Sequence, residues 1–176
     1  MKRPRIDLAL AALCSLFALA AVLFSATGGG ETRVVLVSLG LALATIIVGA
    51  LLIRYYRDTQ REVFPAIIVF ALALGIIVSV AETHWPLRVN FAMSRAAFEA
   101  IAQRLRAGEH VEPQWVGLVR IREAEVRGNN IVCLWTDLNP SGCTGFVQCG
   151  PDEAECRFNI WSNLPLDARW QFITED

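Results

Sequence analysis

The residues in this chain best suited to chemistry are its cysteines. Cys133, Cys143, Cys149 and Cys156 crowd into the last third, while Cys14 stands alone near the start. Four thiols in one segment can bind a metal, act as nucleophiles or close disulfides. Metal binding needs closely spaced ligands, yet there is no CxxC pair, and neither His84 nor His110 is near the cluster in sequence. A nucleophile at Cys143, within Ser141-Gly142-Cys143-Thr144-Gly145, lacks the glycine two positions earlier that a nucleophile elbow supplies. Its base would have to be His84, beside Trp85 at the edge of an apolar stretch, or His110, in a polar Gly-Glu-His-Val-Glu-Pro loop. Disulfides are the expected outcome in an oxidising compartment. Three pairings of the four are possible. Cys133 with Cys143 and Cys149 with Cys156 are the expected pairs, because each closes a short local loop contributing about 2–3 kcal/mol in the chain-entropy account.

Carboxylates offer less. Glu123 and Glu125 share one strand face, and Asp152, Glu153 and Glu155 crowd one loop, a pattern read as solvated acidic surface that binds a cation only weakly. Gly28-Gly29-Gly30 lacks the lysine and helix context of a phosphate loop. No catalytic group, metal site or cofactor is therefore expected. The net charge of -1 gives no reason to expect nucleic acid, which asks for a clustered basic surface.

The elements that must position these residues divide sharply. Apolar residues make up 55% of the 176, charged residues 19%, and the mean hydropathy is +0.44. The excess lies before Glu82. Leu8 to Ala26, Val34 to Ile53 and Phe64 to Ala81 are uncharged and close to the roughly 20 residues that cross about 30 Å of hydrocarbon. Tyr55, Tyr56 and Trp85 mark span ends, where amphipathic rings favour the interface. Lys2, Arg3 and Arg5 precede the first span and Arg54, Arg57 and Arg61 follow the second, against Arg33 alone in the first connection. Basic residues stay cytoplasmic, so the N-terminus is expected inside and everything after Glu82 outside. A cleavable signal peptide ending at Gly28 is the rival for the first segment, whose apolar stretch is longer than a signal core; retention is expected. The spans hold no ionisable residue of the kind a transporter uses. Small residues recur at spacing four, at Gly40 and Ala44, Thr45 and Gly49, then Ala71, Gly75 and Ser79. They suit close helix packing, within one chain or against a partner.

Residues 87–176 read as a small α+β domain with one amphipathic helix and an antiparallel sheet, following a three-span region over residues 1–86. Leu87 to Phe91 is expected as a short strand or linker. Ser94 is the expected N-cap of a helix with Phe98, Ile101, Ala102 and Leu105 on one face, Arg95, Arg104 and Arg106 solvated, and Gly108 as the stop. Val116 to Val126 is expected as one strand whose apolar parity switches near Arg122 and Glu123 through a bulge. Gly128-Asn129 is the expected two-residue hairpin loop. The return strand, Ile131 to Trp135, is apolar throughout and so covered on both faces. Further strands are expected at Gly145 to Gln148, Arg157 to Trp161 and Trp170 to Thr174.

Leu87-Arg88-Val89, Phe91-Ala92-Met93-Ser94-Arg95 with Phe98, Gly117-Leu118-Val119-Arg120-Ile121, Thr144-Gly145-Phe146-Val147 and the aromatic strand around Trp170 and Phe172 resemble uncharacterised bacterial multi-span membrane proteins. The resemblance covers the last ninety or so residues and implies an extracytoplasmic domain in the bacterial cytoplasmic (inner) membrane, with no assigned activity and without the cysteines. The expected function is a membrane-anchored, non-enzymatic module. Its partners would be the lipid bilayer and a protein partner or second copy, met through the spans or the exported binding domain. An envelope-associated hydrolase is the alternative.

Overall fold

The computed structural model describes residues 4–28, 31–58, 64–128, 130–139, 142–149 and 160–175. Helices α1 (Pro4–Ala26), α2 (Glu31–Asp58), α3 (Phe64–Thr83) and α4 (Trp85–Arg106) precede strands β1 (Gln114–Val116), β2 (Val119–Ile121), β3 (Glu123–Arg127), β4 (Ile131–Asn139), β5 (Gly142–Gln148), β6 (Ile160–Pro165) and β7 (Trp170–Glu175). The chain divides into two compact units: residues 1–25 with 32–85, and residues 26–31 with 86–176.

In the first unit the packing is inverted relative to a water-soluble bundle. Cys14, Ala18 and Ala21 of α1, Val48 of α2 and Ala73 and Ile77 of α3 form its core, with Ser38 and Thr45 also buried. Leu36, Leu39, Leu43, Ile47 and Leu51 of α2 point outward. Small and hydroxylic residues inside with branched aliphatics outside is the arrangement a hydrocarbon solvent favours. The Thr45 hydroxyl donates to the Leu41 carbonyl at 2.7 Å, so its burial leaves no unmet donor. Among the described residues, the stretch from Arg33 to Arg57 is long and apolar enough by itself to cross a membrane; α3 passes that test only together with α4, and the apolar stretch Ala11–Ala26 is shorter. By length and composition alone, one helix, or two if the bent α3–α4 pair counts as one span, is a candidate to cross a membrane.

In the second unit α4 covers one face of a five-stranded antiparallel sheet ordered β3-β4-β5-β7-β6, and β1 and β2 form a separate two-stranded sheet. Phe91, Phe98, Ile101, Ala102 and Leu105 of α4 pack with Val119, Ile121, Val132, Leu134, Phe146, Trp170 and Phe172. The opposite sheet face buries Ile131, Cys133, Trp135, Val147, Cys149 and Ile173. Every residue from Ile131 to Trp135 is buried, as the continuous apolar run requires. Gly145 is obligatory beneath this run, because a Cβ there would collide with the Leu134 carbonyl and with Trp135.

Five expectations need correction. Residues 85–93 are helical rather than strand or linker, and α4 starts at Trp85 rather than after Ser94. His84, at φ 48°, separates α3 from α4. Pro86 then sits in the first turn, where its missing donor costs nothing, and Leu87 and Phe91 extend the buried face of Phe98 backwards. The helix ends at Gly108 as expected, with Gly108 N–H on the Leu105 carbonyl, Glu109 N–H on the Arg104 carbonyl and φ 81° at the glycine. Second, the strand expected over Val116 to Val126 is three strands: a turn at Gly117-Leu118 and a break at Arg122 place β2 and β3 in different sheets. The parity change is thus a sheet switch, not a bulge. Third, Arg127 pairs with Ile131, so three residues, not two, form the hairpin loop, with Asn130 left-handed at φ 66°. Fourth, Cys133 and Cys143 are both free. Cys133 pairs with Val147 and Cys143 with Leu138; Cys143 and Val147 are four positions apart along β5, roughly 13 Å, whereas a disulfide needs α-carbons within about 7 Å. Fifth, strand β6 runs from Ile160 to Pro165, later than expected, and residues 157–159 lie outside the described residues.

Candidate functional site

Three polar centres interrupt the apolar second unit. The first is Asn90, on the buried side of α4. Its Nδ2 donates to the Ala26 carbonyl at the end of α1 at 3.0 Å, and its Oδ1 accepts the Leu118 N–H at 3.2 Å. A buried amide with both ends bonded avoids the penalty of an unmet polar group. The neighbouring Gly117, at φ 60°, permits this approach, since a Cβ there would strike Ser94 and Asn90. Farther along the same connection, Gly28 lies against Phe172 and Thr136, and the Thr136 hydroxyl lies 3.3 Å from the Gly28 carbonyl and 2.9 Å from that of Thr144.

The second centre lies between α4 and the sheet. Glu99 accepts hydrogen bonds from the Trp170 indole at 3.0 Å and from Gln148 Nε2 at 2.9 Å. Burial pushes its carboxyl up, but those two donors, with the charges of Arg169 and Arg95, outweigh it and hold Glu99 below its ordinary value. Arg106 lies at the same edge, its guanidinium pulled down by burial and by Arg169 and partly restored by Glu99. Arg106 Nε and Nη2 and Gln148 Oε1 are buried with unmet hydrogen-bonding capacity. Arg95 pairs with Asp167 at 3.0 Å, and Asp167 Oδ1 accepts the N–H groups of Arg169 and Trp170, shaping the β6–β7 turn.

The third centre is on the opposite sheet face. Arg127 Nη1 bonds both oxygens of Glu175 at 3.0 and 2.9 Å, its Nε bonds Glu125 at 2.6 Å, and its guanidinium lies 5.1 Å from the Trp135 ring centroid. The Trp135 indole donates to the same Glu125 oxygen at 2.8 Å. Burial disfavours the Arg127 charge, but its hydrogen bonds to Glu175 and the charges of the two carboxylates raise its pKa overall. Beneath it, burial pushes the Cys133 thiol up to about 12, and burial with the Glu175 charge raises Cys143. A nucleophilic thiol needs the reverse shift, and a carboxylate held ionised like Glu99 is a weak base near neutral pH.

Of the sequence-predicted positions, the structure brings Glu125, Cys133 and Cys143 to one face. Cys149 is disulfide-bonded and accepts a hydrogen bond from Gln171 at 3.1 Å; its partner, like Cys156 and the acidic loop of Asp152, Glu153 and Glu155, lies outside the described residues. His110 is exposed on its loop and His84 is buried at the α3–α4 break. No group of three or more metal-ligating side chains occurs among the described residues. In α2 and α3, Gly49 admits the Phe70 ring, whereas Gly40 and Gly75 face open space, Ala71 is exposed and Ala44 is half-buried. The Ser79 hydroxyl donates to the Ile76 carbonyl at 2.8 Å and accepts the Trp85 indole N–H at 3.3 Å. The small-residue stripe that packs is instead Cys14-Ala18-Ala21. It borders an apolar groove of about 390 Å³ lined by Ser15, Ala18, Leu19, Val22, Val69, Leu72, Ala73 and Ile76.

Compared with family models, curated proteins and solved structures, the chain matches none. The functional reading therefore stands on geometry. Asn90, Glu99 and Gln148 were not singled out in the sequence. The signal for Asn90 and Glu99 was present: polar residues on or beside the Leu87-Phe91-Phe98-Ile101-Leu105 stripe of an amphipathic helix.

Proposed function

We propose that this chain is a membrane-anchored, non-enzymatic module of the bacterial cytoplasmic membrane, with three spans, the N-terminus inside and an exported α+β domain that binds a protein partner or a second copy. The observation that carries the reading is the membership of residues 26–31 in the same folded unit as residues 86–176, through Asn90 and Gly28. Parts of one folded unit share a compartment, so α2 and α3 between them cross the bilayer an even number of times. Because α2 is long and apolar enough to cross, that number is two. The basic residues before α1 hold the N-terminus inside and make α1 the third span. Non-enzymatic action is supported by the direction of the shifts at Cys133, Cys143 and Glu99, each away from what a nucleophile or general base needs.

An alkaline-phosphatase-type reporter fused after Asp176 should be active, and a cytoplasm-only fluorescent reporter inserted after Asp58 should fluoresce. Silence at either site overturns the topology. Crosslinking in native membranes followed by mass spectrometry should recover a specific neighbour or a homo-oligomer; recovery of neither refutes the module reading.

A further inference from the structure

We propose that Arg106, Arg169 and Gln148 form a binding site for a phosphate group that keeps an O–H, where the end of α4 lies beside the end of β5 and the start of β7. The site is contained within residues 86–176 and is independent of the membrane topology above. Its centre is the Arg106 guanidinium. Nε and Nη2, both buried without a partner, make up one edge of that group, the fork that grips two oxygens of a phosphate or carboxylate side by side. Gln148 presents the opposite need. It is 0% exposed, its Nε2 is held by Glu99 at 2.9 Å, and its Oε1 is an acceptor without a donor. Buried polar groups are as a rule satisfied, so two open donors and one open acceptor call for a ligand that accepts twice and donates once.

Bonds, register and charge bring these parts together. Glu99 and Arg106 lie about two helical turns apart on nearly the same face of α4, and helical side chains lean toward the N-terminus, which carries Arg106 toward Glu99. Glu99 bonds Gln148 and Trp170, which pair across β5 and β7, and Trp170 follows Arg169 in the chain. The charges of Arg169 and Glu99 both act on Arg106. Arg95 is matched by Asp167 at 3.0 Å. Arg106 and Arg169 then face Glu99 alone, Arg169 being exposed and in no ion pair among the described residues. The surplus positive charge favours an anion. Because Arg106 is half-buried and Arg169 exposed, a rotamer change in either long side chain opens the fork to a small ion. A carboxylate or sulfate fills the fork but brings no donor to Gln148 Oε1. Hydrogenphosphate meets both needs.

The test is calorimetric titration of inorganic phosphate into the detergent-solubilised full chain near neutral pH, with sulfate as the comparison. Phosphate should bind, and sulfate about tenfold more weakly, the worth of one hydrogen bond to a buried acceptor. Arg106→Lys keeps the charge but loses the fork, and should weaken phosphate about tenfold. Arg169→Ala, at an exposed position, should weaken it about threefold. Arg120→Ala, on the β1–β2 hairpin, should leave it unchanged. Free phosphate and a monoester lipid headgroup present the same group, so a short-chain phosphatidate is titrated in parallel. Tighter binding than inorganic phosphate supports the site with the headgroup as its source, and weaker binding supports it with the free ion. No phosphate binding, equal affinity for sulfate, or an equal loss on Arg120→Ala overturns the site. Unchanged affinity in both Arg106→Lys and Arg169→Ala overturns it as well.

Discussion

Each face of the five-stranded sheet holds a carboxylate against a tryptophan indole, and the two pairs differ in what they lock. On the inner face Glu99 of α4 takes the indole N–H of Trp170, joining residues from opposite ends of the domain. On the outer face Glu125 takes that of Trp135 from the adjacent strand, with Arg127 over the ring. The inner pair ties helix to sheet inside an apolar layer; the outer pair stitches neighbouring strands where solvent still reaches. Both carboxylates are half-buried. The inner one, however, holds two buried donors, Trp170 and Gln148, whose loss of an acceptor costs more than the loss of a contact that water can replace.

That contrast can be broken in order of expected effect. Phe98→Ala should destabilise the C-terminal domain most, by about 3–5 kcal/mol, because its ring meets Phe146 at 4.6 Å, Phe91 at 5.4 Å and Trp170 at 5.7 Å. Urea unfolding of the detergent-solubilised chain followed by tryptophan emission measures it. Glu99→Ala should follow at about 2–3 kcal/mol, since it strands two buried donors. An equal cost for Phe98→Ala and an exposed-site control would show that α4 does not cover this face.

Acid sharpens the comparison. Glu99 is held below its ordinary value of 4.5, so its contribution is complete above that pH and is lost as pH falls through the lower folded value. The wild-type domain should therefore lose stability on acidification below about pH 4.5 more steeply than Glu99→Gln; identical acid limbs would remove Glu99 from the account. Arg127→Ala, on the outer face, should cost only about 1 kcal/mol and less in high salt, its side chain being 39% exposed. The smallest effect on stability and the clearest on reactivity concerns the thiols. Under native conditions a maleimide should modify Cys143 slowly and Cys133 not at all until the domain unfolds, with Cys149 unmodified before reduction; peptide mass analysis distinguishes the three. Fast labelling of Cys133 would contradict its burial.

The α4 stripe and the doubly covered β4 were legible because their signals are local: a 3.6-residue apolar period and an unbroken apolar run. Ser94 misled as an N-cap because its hydroxyl is a capping type, while the buried period had already begun at Leu87. Arg122 was recognised as a point of parity change, but a sheet switch and a bulge leave the same alternation in sequence. The Cys133–Cys143 pairing failed for a related reason. Loop length measures the entropy of closure, whereas the β4–β5 register decides whether two Cβ atoms can meet.

The sequence by itself determined which stretches seek hydrocarbon and which fold as an α+β domain, and that the cysteines carry no histidine partner nearby. Composition and short-range periodicity suffice for these, since each depends on residues within a few turns of one another. Tertiary structure alone decided that the connection at residues 26–31 belongs to the C-terminal unit, that Glu99 is held by Gln148 and Trp170, and that Arg127 bridges Glu125 and Glu175. Those contacts join residues 48 to 108 positions apart, Arg127 and Glu125 excepted. Such separations leave no local pattern, because what selects the partners is the desolvation that folding imposes on a polar group and the donor that then lies within reach.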